Sequence, residues 1–198
     1  MKRKPLLTIT LCEEKRFEVL QRRLQLPFDT TGGQWRDYSL QDAFLLRVFL
    51  DLITRESLGK DDPRSDEGPT NSAIINGFGS TIELAQYIVG HELRDRSIWD
   101  ILREKEPFFV GAVSFKEQPK SGVSYFRLAR FMGAIGSFPS WVAEQIATGD
   151  EFETSISLHK VLLVDVTDSA RLVLQNAKAL AIEEAVSPAV GSDGRATE

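Results

Sequence analysis

Residues 32–53, GGQWRDYSLQDAFLLRVFLDLI, decide how the rest of the chain is organised. From residue 40 to residue 53 there is no glycine or proline, and the polar residues Arg47 and Asp51 occupy one narrow stripe of a helical wheel. The rest of that circumference is apolar, and a helix of this kind has to be covered on more than one side. The pattern therefore predicts a central helix that holds the two halves of the protein together.

The segment before this helix predicts a turn and a short strand. Residues 32–38 combine a Gly-Gly turn with bulky and charged side chains, a composition compatible with a strand. Ser39 and Asp42 have the spacing of a capping box, in which the hydroxyl and the carboxylate each serve an amide of the first helical turn. We expect a turn-and-strand element that projects from a capped helix.

The composition is that of an ordinary globular protein, with 198 residues, of which 42% are hydrophobic and 27% charged. No run is long enough to span a membrane, and the start, MKRKP, lacks the apolar core of a signal peptide. The single cysteine, Cys12, excludes an internal disulfide within these residues. These features predict a cytoplasmic protein without a membrane partner.

Charge is distributed unevenly along the chain. The net charge is −5, but residues 1–36 contain eight basic and four acidic residues and carry +4, which leaves −9 for the remaining residues. A basic head on an acidic body is the distribution expected when only the head meets phosphates.

Residues 12–25 are predicted to form the basic part of that head. Phe17, Leu20 and Leu24 have the spacing of a buried helical stripe. The basic side chains lie on the opposite side of the wheel: Lys15, Arg16, Arg22 and Arg23. Residues 1–11 are predicted to be a short arm with a brief strand at residues 6–9. A basic helical face is also common where a helix is merely solvated, so this pattern by itself leaves both interpretations open.

The order of these features resembles a known family. A helix with Arg22 and Arg23, the Leu-Pro and Gly-Gly turns at 26–27 and 32–33, and WRDYS before a helix containing Asp42 are similar to the MerR-type winged helix-turn-helix. The resemblance covers residues 8–53. That family has a scaffold helix and a recognition helix before a two-stranded wing, whereas only one helix is predicted here, so the first helix is expected to be missing.

The resemblance implies a transcriptional regulator, of a kind found among prophage-associated proteins, that binds duplex DNA as a homodimer. It assigns DNA contacts, mainly to phosphates, to seven residues: Lys15, Arg16, Arg22, Arg23, Gln34, Arg36 and Tyr38. The alternative is a non-catalytic protein-interaction or scaffold module with a degenerate winged-helix fold. The missing first helix and the net acidic charge favour that alternative. Nothing in the sequence selects an effector ligand.

The predicted fold class is α+β, with four parts. Residues 1–57 form the winged-helix domain, residues 58–71 an acidic flexible loop, residues 72–184 a small α+β domain, and residues 185–198 a disordered tail. Within the third part, the pattern predicts short helices at 72–78, from 81 and around 98–102, then a hairpin of strands 108–115 and 123–131. A helix from Pro139, a third strand at 154–166 and a final helix follow.

No catalytic, metal or cofactor site is predicted. His91 has no second ligand at metal-binding spacing. His159 shares an alternating strand pattern with Asp165, which suggests a polar pair, but no nucleophile accompanies it. The glycines at 32–33 and 77–79 match neither a phosphate-binding loop nor a dinucleotide fingerprint. The chain is therefore expected not to be an enzyme, and a site built on His159 and Asp165 is kept as a distant third possibility.

Overall fold

A computed structural model describes residues 1–28, 36–54, 81–151 and 154–182. The protein is α+β, as predicted: in these ranges, seven α-helices accompany one three-stranded antiparallel sheet. The elements are, in chain order, α1 (Arg3–Thr10), α2 (Glu14–Arg22), α3 (Leu40–Thr54), α4 (Thr81–Tyr87), a π-helical turn (Ile88–Glu92), α5 (Ile98–Arg103), β1 (Phe108–Pro119), β2 (Tyr125–Ala134), a 3-10 turn (Ile135–Ser137), α6 (Phe138–Glu151), β3 (Thr154–Asp165) and α7 (Val166–Ala179).

Helix α3 is the central helix, as its pattern predicted. Ala43, Phe44, Leu46, Val48 and Phe49 are completely buried, although they lie around most of the helix circumference. The surrounding cover comes from α1, α4, α5 and α7. A helix that is apolar on all sides is stable only in such a position, because its exposed apolar surface would otherwise be too large.

The predicted capping box at the start of α3 is confirmed. The Asp42 amide donates to the Ser39 hydroxyl at 3.0 Å, and the Ser39 amide donates to the Asp42 carboxylate at 2.9 Å. Two amides that no helical carbonyl can reach are thereby satisfied.

The prediction of a short arm with a brief strand at residues 6–9 is wrong, because Arg3–Thr10 is helix α1. An isolated helix of eight residues is not stable in water, so tertiary contacts have to support it. The Asn176 side chain donates to the Ile9 carbonyl at 3.0 Å, and Arg47 donates to the Thr10 carbonyl at 3.0 Å. Contacts from α7 and α3 thus satisfy the carboxyl end of α1.

Three helices end in the same motif. After α1, the Cys12 amide donates to the Leu7 carbonyl at 3.0 Å, and the Leu11 amide donates to the Thr8 carbonyl at 3.3 Å, which defines a Schellman motif. Helices α2 and α7 end with the equivalent pairs of bonds. The left-handed residues are Leu11, Leu24 and Ala181, with φ of 55°, 55° and 53°. Glycine is the usual residue here, and a side chain costs about 1 kcal/mol.

The sheet has the order β2-β1-β3, and β1 pairs antiparallel with both neighbours. The predicted hairpin, third strand and flanking helices are confirmed. Strand β1 reads as a continuous apolar run because both of its faces are covered. Val110 and Ala112 belong to the helical core, whereas Val113 and Phe115 pack with Phe131 and helix α6 on the other face.

A bulge in β3 changes which of its residues share a face. Ser114 pairs with Lys160 but Phe115 pairs with Leu158, so His159 is an extra residue. Residues 156, 158, 162 and 164 therefore do not share one face, although simple alternation would place them on one. Leu162 and Val164 are on the side of the helical core, and Ile156 and Leu158 are on the side of α6.

One hydrophobic core contains side chains from both halves of the chain. Helices α1 and α3 pack against α7, and the cluster that includes Leu6 and Phe44 continues to Val110 and Val173. Within the described residues this core includes side chains from before residue 57 and from after residue 72. The predicted wing turn with Gln34, the acidic loop 58–71, the helix 72–78 and the tail 185–198 lie outside the described residues.

Candidate nucleic-acid interface

The basic residues of α2 lie in two rows on its outer side. Phe17 and Leu20 are buried, 0% and 4% exposed, and define the side of α2 that faces the core. Residues seven apart on a helix lie nearly on one line, which produces one row from Lys15 and Arg22 and a second from Arg16 and Arg23. Arg16 is half-buried and the other three are exposed. The four residues predicted for this helix are therefore gathered on one solvent-facing surface, which we call the α2 basic face.

Both acidic residues of α2 pair with an arginine of α1. Glu14 and Glu18 face α1, where the Arg3 guanidinium lies 3.7 Å from the first carboxylate and 3.1 Å from the second. Arg3 also lies over the Phe17 ring at 5.1 Å, which holds the guanidinium in place. Because Arg3 partly neutralises these carboxylates, they compete less with an external anion for the α2 basic face.

The cations of the α2 basic face are not committed to internal ion pairs. Within the described residues, none of the four has a carboxylate partner within 4.0 Å, whereas Arg36, Arg47 and Arg127 each have one. Unpaired cations on one face can bind a polyanion without first breaking a salt bridge.

The turn between α1 and α2 is anchored in the core. Cys12 is 7% exposed, and burial raises the pKa of its thiol, with Arg16 and Arg47 acting in the opposite direction. A thiol of this kind stays protonated at neutral pH and behaves as a small apolar side chain. The two helices and this turn precede α3 in the chain.

Tyr38, another predicted DNA-contact residue, packs in the core. Tyr38 is 4% exposed, and its ring makes edge contacts with Phe17 at 6.1 Å and Phe28 at 5.8 Å. Burial raises the pKa of its phenol, opposed by Arg36 and Arg3. This placement differs from the exposed position expected of a phosphate contact. No described residue around Tyr38 is in a strand, since residues 36–39 are irregular.

Arg36 connects the same region to the start of α3. Its guanidinium lies 3.5 Å from the Asp42 carboxylate and over the rings of Phe28 and Tyr38, at 5.5 and 5.6 Å. The side chain is 22% exposed. Arg36 therefore holds the segment before α3 on the core, a role that its place in the sequence motif did not indicate.

Leu24 was predicted to belong to the buried stripe of α2, and this is wrong. Helix α2 ends at Arg22, and Leu24 is left-handed and 78% exposed. Helical periodicity does not apply to a residue beyond the end of the helix, so the wheel could not predict its direction. The Leu24 carbonyl accepts a hydrogen bond from the Gln86 side chain at 3.2 Å, which connects α4 to the end of α2.

The pair proposed for an enzyme is not brought together. Asp165 accepts a hydrogen bond from the Asp168 amide at 3.0 Å and caps α7. His159 lies at the bulge with its ring 4.6 Å from that of Phe126. The two residues are six positions apart along the strand, or about 20 Å at 3.3 Å per residue. His91 stacks on Tyr87 at a centroid distance of 4.5 Å.

In the described part of the chain, no group of three His, Cys, Asp or Glu side chains is placed to hold a metal ion. The described helices include none that is both long and apolar enough to cross a membrane. No family model, no curated protein and no solved structure matches the chain.

Proposed function

We propose that the chain binds duplex DNA through the α2 basic face and acts as a transcriptional regulator. The observation that carries this proposal is the pattern of ion pairs on α2: within the described residues the four cations of the α2 basic face have no carboxylate partner, whereas both carboxylates lie beside Arg3. Helix α2 has nine residues and is about 13 Å long at 1.5 Å per residue. The major groove of duplex DNA is about 12 Å wide and accommodates an α-helix. A cationic surface on a chain of net charge −5 directs a polyanion to one place.

Helix α1 supports the resemblance to the MerR-type winged helix-turn-helix. That family has two helices before the wing, and the chain has two helices before α3. The missing first helix was one of two arguments for a degenerate scaffold module, and it no longer applies. In the proposal, Arg36 and Tyr38 hold the segment before α3 on the core. A homodimer would present two α2 basic faces to paired half-sites.

The proposal is tested by titrating a fluorescent random-sequence duplex with the full chain over a range of salt concentrations. Binding should weaken with salt, and the double variant Arg22→Ala/Arg23→Ala should weaken it further. Each lost phosphate contact reduces the slope of log K against log salt by about 0.9, so the double variant should lower it by about 1.8. The matched control is Arg171→Ala/Lys178→Ala, which removes the same charge from exposed positions of α7 and should leave the slope unchanged.

A folded sample that does not bind duplex at low salt would refute the proposal. The non-catalytic interaction module would then be the better account, and the net charge of −5 is the observation in its favour. Equal losses in the α2 variant and the α7 control would show non-specific attraction and would also count against the α2 basic face.

A further inference from the structure

Leu24 lies beside the α2 basic face and has two unfavourable properties. Its side chain is 78% exposed, and its backbone is left-handed with φ of 55°. It follows Arg22 and Arg23, two exposed cations, directly in the sequence. An exposed leucine is common on protein surfaces, but a leucine at a left-handed helix end is not.

Local structure does not account for a leucine at this position. The Gln25 amide donates to the Leu20 carbonyl at 2.8 Å and the Leu24 amide to the Gln21 carbonyl at 3.1 Å, and both bonds form with any residue at position 24. Glycine would make the same motif without strain and without exposed apolar surface. The bond from Gln86 involves the backbone carbonyl and is equally indifferent to the side chain. The hydrogen bonds of the motif therefore do not require a leucine at position 24, and what distinguishes Leu24 from Leu11 in the same motif is its place next to Arg22 and Arg23.

We propose that Leu24 makes an apolar contact with the bases of duplex DNA while Arg22 and Arg23 bind the adjoining phosphates. This inference rests on the DNA binding proposed above and adds a base contact to a surface of phosphate anchors. Cations bound to the backbone bring the neighbouring side chain to the groove, where thymine methyl groups and the faces of unstacked bases are the apolar surfaces. Burial of Leu24 there removes the exposed apolar area that the free protein carries.

The test is Leu24→Gly, for which stability and affinity should change in opposite directions. Relief of the left-handed strain should raise Tm by about 2–4 °C. Loss of the apolar contact should weaken duplex binding by roughly tenfold. Because no charge is removed, the slope of log K against log salt should stay as in the wild type, unlike in the arginine variants. Thermal denaturation and the salt titration described above measure all three quantities.

The matched control is Leu11→Gly at the end of α1. Leu11 has the same left-handed φ of 55° in the same motif and is 62% exposed, but it is not adjacent to the arginine pair. This variant should raise Tm by a similar amount and leave affinity unchanged. A second variant, Leu24→Asn, keeps a residue that tolerates left-handed geometry and should lose affinity as Leu24→Gly does.

Two results would overturn the inference while DNA binding itself stands. One is a Leu24→Gly protein that binds duplex as tightly as the wild type. The other is an equal loss of affinity in Leu11→Gly, which would attribute the effect to glycine and not to the lost contact. If the folded wild type does not bind duplex at all, the proposed function fails instead, and that outcome is distinct from both.

Discussion

Arg22 and Arg23 at the end of α2 and Arg127 near the start of β2 show how differently one residue type is used in this protein. Arg22 and Arg23 are exposed and have no described ion pair. Arg127 lies over Phe115 at 5.1 Å, pairs with the Glu117 carboxylate, and donates to the side chain and backbone of Gln145 at 2.8 and 3.1 Å. An arginine surrounded by acceptors serves the fold, and an arginine without them is available to a ligand.

The largest expected effect is the loss of Arg127. The Glu117 side chain is only 9% exposed, so Arg127→Ala leaves a buried carboxylate without its cation. Such a change costs about 3–5 kcal/mol of unfolding free energy. Arg22→Ala should cost less than about 0.5 kcal/mol, because no partner is lost. Urea denaturation of both variants measures the contrast, and similar costs would show that the division between them is incorrect.

Arg36 tests whether an arginine that packs on the core can also contribute to duplex binding. Its ion pair with Asp42 is partly exposed and it covers two aromatic rings, so Arg36→Ala should destabilise the fold by about 1 kcal/mol. If it only holds the segment on the core, the salt dependence of duplex binding should not change. A reduced slope with unchanged stability would instead assign Arg36 to the phosphates, as the family resemblance implied.

The smallest effect is expected for Asp100, an exposed carboxylate in the first turn of α5. Hydrogen bonds from the Ser97 hydroxyl and amide lower the pKa of Asp100, with a further contribution from Arg103. A lowered folded pKa contributes stability above the unfolded value of about 4, and this contribution is lost as pH falls through the folded pKa. Asp100→Asn should thus lower Tm slightly at neutral pH, and the difference should disappear in acid. A difference that grows in acid would contradict this assignment.

Much of the fold could be predicted because long patterns carry redundant information. The apolar circumference of α3, the Ser39–Asp42 box, and the hairpin and third strand each depend on several residues that agree. Helix α1 was missed because eight residues contain too little pattern, and its stability depends on Asn176 and Arg47, distant in the sequence. The bulge at His159 was missed for a similar reason, since one inserted residue leaves no mark on local composition.

The candidate site was predictable only in its helical part. Lys15, Arg16, Arg22 and Arg23 share a face because helical geometry places them there whatever surrounds the helix. The environments of Arg36 and Tyr38 depend on neighbours from other segments, and that of Leu24 depends on where α2 ends. Hydrophobic periodicity along the sequence predicts neither the neighbours nor the helix end.

By itself the sequence determined the α+β class, the central helix and the cationic side of α2, because each follows from residue order and helical or strand period. Only the tertiary structure decided which charges are neutralised inside the protein. Arg3 reaches Glu14 and Glu18, and Arg127 reaches Glu117 and Gln145, across gaps of 10 to 18 residues. Contacts over such separations depend on the packing of whole elements. The tertiary structure was therefore needed to show that the cations of α2 have no carboxylate partner among the described residues.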